Sequence, residues 1–234
     1  MKLVFDIETV GEDFDSIDEH TKENLSRWLK KEAKNETEYN ASLDDLKNSL
    51  GFSPLTGKIV TIGVLDVEKN SGVIYYSTDD NAPSEFEENG FKFKVASERD
   101  MLDRFWYGAK EYSEFISFNG RSFDVPFLMV RSAINGIKPN VDLLSYRYLS
   151  SQKSGAVHVD LFDQLSFYGT VRRKSSLHLW CRAFGITSPK QDVTGDDVAR
   201  LFKEKQFLQI AKYNTRDLIA TKELYNYWYK YLKI

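Results

Sequence analysis

Two carboxylates, Asp6 and Glu8, stand two residues apart inside the apolar run Leu3-Val4-Phe5-Asp6-Ile7-Glu8. Such a run reads as a buried strand, and a strand sets side chains i and i+2 on one face. Both acids then leave the same side of a dehydrated segment and repel each other. At about 4 Å and an effective dielectric of about 20, two like charges cost roughly 4 kcal/mol. A proton, a basic partner or a metal cation must offset that. An exposed edge strand with two solvated acids has the same spacing, so the pair by itself does not decide the chemistry. Two further positions bear on it. Asp124 precedes Val125-Pro126-Phe127-Leu128-Met129-Val130, where a proline in the first turn marks a helix start; a plain N-cap would look the same. Tyr213 and Asp217 are four residues apart on a late helix and share a face, as two residues at an amphipathic boundary also would.

The segments around these residues predict the elements that must position them. After the first strand, the stretch from about Gly11 to Gly57 is crowded with acids and lysines. Leu25, Trp28 and Leu29, then Leu43, Leu46 and Leu50, predict two amphipathic helices, a flap over one end of the sheet that is either a substrate lid or an insertion that only packs. Lys58 to Leu65 is a β-branched run and predicts a buried strand, with Gly72 to Ser77 as its hairpin partner. Asp79 to Gly90, acidic and proline-containing, predicts a surface loop. Ser97-Glu98-Arg99-Asp100 opens a helix whose apolar face carries Met101, Leu102, Phe105 and Trp106. Glu114 to Phe118 is a short strand, and Asn119-Gly120 a turn. Val157 to Phe167 bridges a strand and a helix and carries Asp160 and Asp163. Ser175 or Ser176 caps a helix that Gly185 closes after Phe184. Thr194 to Lys205 is a further helix. The last, from about Phe207 to Leu232, buries Leu208, Ile210, Ala211, Leu218, Ile219, Leu224 and Tyr225. Interleaved strands and helices predict a layered α/β domain with a mixed sheet.

Composition narrows the class. The 234 residues are 41% hydrophobic, ample for one sizeable core with an insertion. Lysine and arginine total 32 against 35 acids. No bulk basic character drives nucleic-acid binding, so such binding has to be local or bridged by metal. The single cysteine, Cys181, excludes an internal disulfide, fits a reducing compartment and reads as a small buried residue on a helix. With no signal-like segment before the first strand and no apolar run of bilayer length, the expected location is the cytoplasm.

The joint pattern resembles a known family, the DEDD superfamily of 3′-5′ exonucleases in its tyrosine branch. It is most similar to the proofreading domain of family-B DNA polymerases and their stand-alone relatives. The first motif is Phe5-Asp6-Ile7-Glu8-Thr9, and the second runs from Phe118-Asn119-Gly120 through Phe123-Asp124 to Leu128. The third is Tyr213-Asn214-Thr215-Arg216-Asp217. The stretch from His158-Val159-Asp160-Leu161 to Tyr213 resembles that family's connecting region. The resemblance implies a ribonuclease H-like, three-layer α/β fold with a mixed central sheet flanked by helices. It implies one exonuclease domain over residues 1–234, with a charged helical insertion at about 11–57, free-standing because no polymerase region follows. The implied activity is removal of 5′-mononucleotides from the 3′ end of single-stranded nucleic acid, DNA favoured.

Phosphodiester hydrolysis needs an ionised water and positive charge for the transition state, which two divalent ions supply. Carboxylates without a nearby His/Cys set favour Mg²⁺ or Mn²⁺ over Zn²⁺. The resemblance implies Asp6 bridging both ions, Glu8 and Asp217 on the one that holds the attacking water, and Asp124 on the second. Tyr213, a poor base near neutral pH, is predicted to orient that water. The resemblance also places Thr9, through its backbone, and Asn119 near the 3′-terminal nucleotide. Phe123 would lie against a base, although core packing suits Phe118 and Phe123 equally. Arg172, Arg173 and Lys174 form the densest basic cluster, either contacting phosphates or forming a solvated loop. His20, His158 and His178 fall outside the third motif and read as structural or surface residues. Two other functions fit the pattern: a catalytically inactive ribonuclease H-like binding module, and an RNA-processing 3′-5′ exoribonuclease, with the ribose 2′-hydroxyl as the discriminating handle.

Overall fold

The computed structural model describes residues 1–79, 84–153, 155–173, 175–189 and 195–233. Strand β1 (Lys2–Gly11) lies within a seven-stranded mixed sheet. Beside it run β2 (Gly57–Asp66), antiparallel, and then β3 (Ser71–Tyr76), the hairpin partner. On its other side β6 (Glu114–Ser117) and β7 (Val157–Asp160) run parallel to it. Beyond β3 the sheet extends through β5 (Phe91–Val95) to an edge strand, β4 (Glu85–Glu88).

The alternation along β1 sorts the layers. Leu3, Phe5 and Ile7 enter one core, with α4 (Glu98–Ala109) and α5 (Asp124–Ile134). Val4 enters the other, beneath α6 (Leu161–Leu165), α7 (Leu177–Phe184) and the long α9 (Phe207–Tyr231). Helices on both faces of a mixed sheet make the expected three-layer α/β architecture. Asp6 and Glu8 follow Val4 in the period of two and open toward the α9 face. A further short helix, α8 (Val198–Lys203), packs between α9 and the far end of β1. Among the described residues no helix is long and apolar enough to cross a membrane.

Several expectations are corrected. The insertion holds three α-helices, α1 (Glu19–Ser26), α2 (Leu29–Glu32) and α3 (Glu36–Ser49), where the leucine spacing predicts two. The chain breaks at Trp28, which stays exposed while Leu29 is buried, and Asn35 starts α3 afresh by accepting the Glu38 N–H. The predicted loop of residues 79–90 contains β4. Its glutamates mask an alternation in which Phe86 stacks on Phe93 and Glu85 pairs with Lys94 across the strands. The helix predicted over residues 194–205 is a short 3-10 turn, Gly195–Asp197, followed by α8; Thr194 lies outside the described residues. On α9, Leu208 and Ile219 face solvent, because each stands one position past a buried residue, Phe207 or Leu218, and so falls beside the stripe that runs through Ile210, Asn214, Thr221 and Trp228.

Candidate active site

Each acid is delivered by a different local rule. Asp6 and Glu8 share a face of β1. Asp217 comes from α9, four residues after Tyr213, and reaches the same point: ligating oxygens of Asp6, Glu8 and Asp217 all lie within 4.8 Å of one another. The ladder between β1 and β6 ends at Val4 and Ile116. Beyond that fork the Ile7 N–H, between the two β1 acids, donates to Asp124 Oδ1 at 3.1 Å. Asp124 is the first residue of α5, with Phe123 at the cap position; its side chain serves β1 rather than its own helix. A bulge between Glu8 and Thr9, where β2 carries one extra residue, bends the strand just past the acids, a common device beside active sites.

The electrostatics are those of crowded carboxylates. Burial, then the charges of Asp124, Glu8 and Asp217, push the Asp6 carboxyl well above its ordinary range, while the Asn214 amide pulls it back. Glu8 is raised in the same way by burial, Asp217 and Asp124. Burial pushes Asp124 up to about 7 against the pull of the Ile7 N–H. Tyr213 is buried beside them and its phenol is raised, by burial first and then by Asp217, Glu8 and Asp6; its hydroxyl hydrogen-bonds Asp217. The Arg216 guanidinium lies 5.8 Å from the Tyr213 ring centroid.

Thr9 Oγ1 donates to the Gly51 carbonyl at 2.7 Å, which fastens the end of the insertion to β1. From Thr9 an open groove of about 620 Å³ runs between Gly51-Phe52 and Arg200-Lys203 of α8; Asp6, Glu8, Asp124 and Asp217 are not in its lining, although Asp45 and Glu204 are. Asn119 adopts the left-handed conformation (φ 65°) and donates its N–H to Asp160 Oδ1. Phe123 is half-buried against Phe127, and its outer edge meets Phe52, which is 63% exposed. Phe118 packs on Phe162 in the core. Arg172 and Arg173 are exposed in the connection between α6 and α7; Lys174 lies outside the described residues. His158 is buried between Ser117 Oγ and the Leu143 carbonyl, His178 bonds Ser188 and His20 is exposed. Cys181 is buried in α7.

Three contributors went unrecognised in the sequence. Asp160 accepts the N–H groups of Asn119, Arg121 and Phe162, and so pins the turn before Asp124. Phe52, at the end of the insertion, adds an exposed ring beside Phe123. Asn214 lies inside the third motif without being counted as part of the site. A sequence signal existed for Asp160 alone: an Asp at a strand-to-helix junction is a cap signature.

Residues 53–233 match the model of a family described as "Predicted 3'-5' exonuclease related to the exonuclease domain of PolB". The chain belongs to that family. The matched span holds Asp124, Tyr213 and Asp217, and the first strand with Asp6 and Glu8 precedes it. Curated relatives are DNA polymerases: one from Desulfurococcus sp. (strain Tok) is 28% identical over 148 residues, covering 56% of this chain and 18% of its own length. Another, from Pyrococcus horikoshii, is 30% identical over 148 residues, 56% of this chain and 11% of its own. A catalytic polypeptide of DNA polymerase epsilon from Arabidopsis thaliana is 28% identical over 139 residues, 56% of this chain and 6% of its own. The chain thus spans less than a fifth of these polymerases. The fold of the family B DNA polymerase from Pyrobaculum calidifontis superposes with a TM-score of 0.57 at 17% identity, over 97% of this chain and 24% of that one. The three-layer fold is therefore the ribonuclease H-like fold of a polymerase exonuclease domain.

Proposed function

We propose that this protein is a metal-dependent 3′-5′ exonuclease of the DEDD superfamily's tyrosine branch. It hydrolyses the last phosphodiester of single-stranded nucleic acid, DNA favoured, and releases 5′-mononucleotides. Residues 1–234 act as one exonuclease domain bearing the charged insertion, and the lone reduced cysteine suits a cytoplasmic setting. The observation that carries this reading is the convergence of Asp6, Glu8 and Asp217 within 4.8 Å, with Asp124 tied to the backbone between the first two.

The donor set fits divalent cations. It is all carboxylate oxygen, suited to Mg²⁺ or Mn²⁺, and its members repel one another until positive charge joins them. Asp6, Glu8 and Asp217 would hold one ion, and Asp6 with Asp124 a second. Bound there, two ions supply Lewis acidity for ionising water and charge for the leaving oxygen. The side chains do the rest. Tyr213, its phenol kept protonated, hydrogen-bonds and orients the attacking water. Asn119 and the Thr9 backbone border the 3′-terminal nucleotide. Phe123, joined by Phe52, offers ring faces for stacking on bases, worth roughly 1–3 kcal/mol each and tolerant of sequence. The groove beyond Thr9 leads the strand past Arg200 and Lys203.

The test is degradation of end-labelled DNA and RNA oligonucleotides with Mn²⁺, with and without chelator. Wild-type protein is expected to shorten single strands from the 3′ end and to stop on chelation, and Asp6→Ala to be inactive under all conditions. Binding without cleavage would instead establish an inactive binding module, and cleavage confined to RNA an exoribonuclease.

A further inference from the structure

Asn214 is fully buried on α9, one residue after Tyr213. Its Nδ2 donates to Asp6 Oδ2 at 2.8 Å, and the same amide acts on Glu8. Among the described residues, its Oδ1 is the buried side-chain polar atom that has no hydrogen-bond partner. An orphaned buried acceptor is costly and calls for an explanation. Gly63 supplies part of one. It stands opposite Asp6 in the β1–β2 register, and a Cβ there would lie 1.8 Å from Asn214 Oδ1, 3.0 Å from its Cγ and 2.8 Å from Leu218 Cδ1, the far end of a flexible side chain. The bare Cα–H of Gly63 thus faces the orphaned oxygen, as a weak C–H···O contact can. Any larger residue at 63 would push the amide off the acids.

The helix-to-sheet contact therefore keeps a polar side chain, unsatisfied at one end, where an apolar one would fill the space without penalty. What the amide supplies is at its other end: a neutral NH₂ with two hydrogens, spanning two carboxylates that share a strand face. An arginine or lysine in its place would compete with a cation for the same oxygens.

Resting on the exonuclease reading, we propose that Asn214 is the positioning residue of the acidic cluster. It holds Asp6 and Glu8 in one cation-ligating orientation, and Gly63 is the socket that admits it. Groups that orient metal ligands from behind usually change metal affinity by 10–100-fold when removed. A side chain that only filled the interface would change stability and leave affinity alone.

The experiment measures Mn²⁺ binding by calorimetry on the full-length, metal-free protein, with folding followed by circular dichroism. Asn214→Ala is expected to fold and to bind Mn²⁺ at least tenfold more weakly. Gly63→Ala should show a loss of similar size. The double variant should bind no more weakly than Asn214→Ala alone, because the added methyl then meets no amide and only the Leu218 side-chain tip, which can turn into the space the amide leaves. A folded Asn214→Ala with wild-type affinity, an Asn214→Ala that does not fold, or losses that multiply in the double variant would each overturn the proposal. If Gly63→Ala fails to fold, Asn214→Ala alone decides. Wild-type protein that binds no Mn²⁺, or Asp6→Ala that binds it equally well, would sink the exonuclease reading itself, a result distinct from failure of the positioning role.

Discussion

Tyr213 is poorly placed to act as a base. Burial and three neighbouring carboxylates raise its phenol further above neutrality, so its contribution is a neutral hydroxyl, its proton donated to Asp217 and its oxygen left to accept from a water. Tyr213→Phe keeps the ring in the small cluster it shares with Val10, Val60, Val198, Leu201 and Ile210 and deletes that one group. The expected result is a kcat lower by about 10²-fold, the scale of losing one aligned hydrogen-bonding group, with the fold and melting temperature held; unchanged turnover would remove the tyrosine from the reaction. His158 is the opposite kind of residue, titratable but walled off from the chemistry. Burial lowers its imidazole to about 4, below the ordinary value near 6.5, so the unfolded chain takes up a proton that the native state refuses. That contribution is complete above about pH 6.5 and is lost as pH falls through 4, worth about 3 kcal/mol in all. In urea unfolding between pH 7 and 4, His158→Gln should lose less stability than wild type; parallel curves would contradict the buried neutral state.

The elements follow rules that act over different distances along the chain. The Asp6/Glu8 pair is legible because a strand repeats every two residues, and Tyr213/Asp217 because a helix brings residues four apart together. Asp124 is legible through the long second motif. What local periodicity does not encode is which distant group completes each element. β4 reads as loop because three of its four residues are glutamates, and its strand character comes from β5 alongside. Asn214 reads as an ordinary polar helix residue until Gly63 and Asp6 are placed against it. Asp160 caps α6 by its own position, but its hold on the Asn119 turn spans 41 residues of sequence. One carboxylate thereby couples β7, α6 and the start of α5. Asp160→Ala should cost about 3 kcal/mol, since it leaves three partly buried N–H groups without their carboxylate acceptor. It should also weaken Mn²⁺ binding, because the turn that sets Asp124 loses its anchor. Chemical denaturation and calorimetry on the same variant check both; lost stability at unaltered Mn²⁺ affinity would confine Asp160 to the fold.

For the molecule as a whole, the acidic cluster sets function against stability. Three layers bring acids from β1, α5 and α9 to one place, and the fold holds them there at an energetic cost that falls on the metal-free state. The sign follows from Asp124, whose carboxyl rises to about 7 from an ordinary value near 3.8. The native state then binds this proton more tightly than the unfolded chain does. Metal-free protein should therefore lose stability as pH rises through about 7 and regain it as pH falls toward 4, until His158 opposes the gain below about 6.5. Asp124→Asn removes the charge and keeps an oxygen able to accept the Ile7 N–H. At pH 8 it should make the metal-free protein more stable, on the order of 2–4 kcal/mol. The same change should shrink the rise in melting temperature that Mg²⁺ or Mn²⁺ gives wild type to the part carried by Asp6, Glu8 and Asp217, since binding to the native state alone is what stabilises it. Thermal melts at pH 6 and 8, with cation and with chelator, contain the full comparison. A variant less stable than wild type at pH 8 without metal would mean that the cluster is neutralised from within the protein, and the case for cations in this pocket would fall with it.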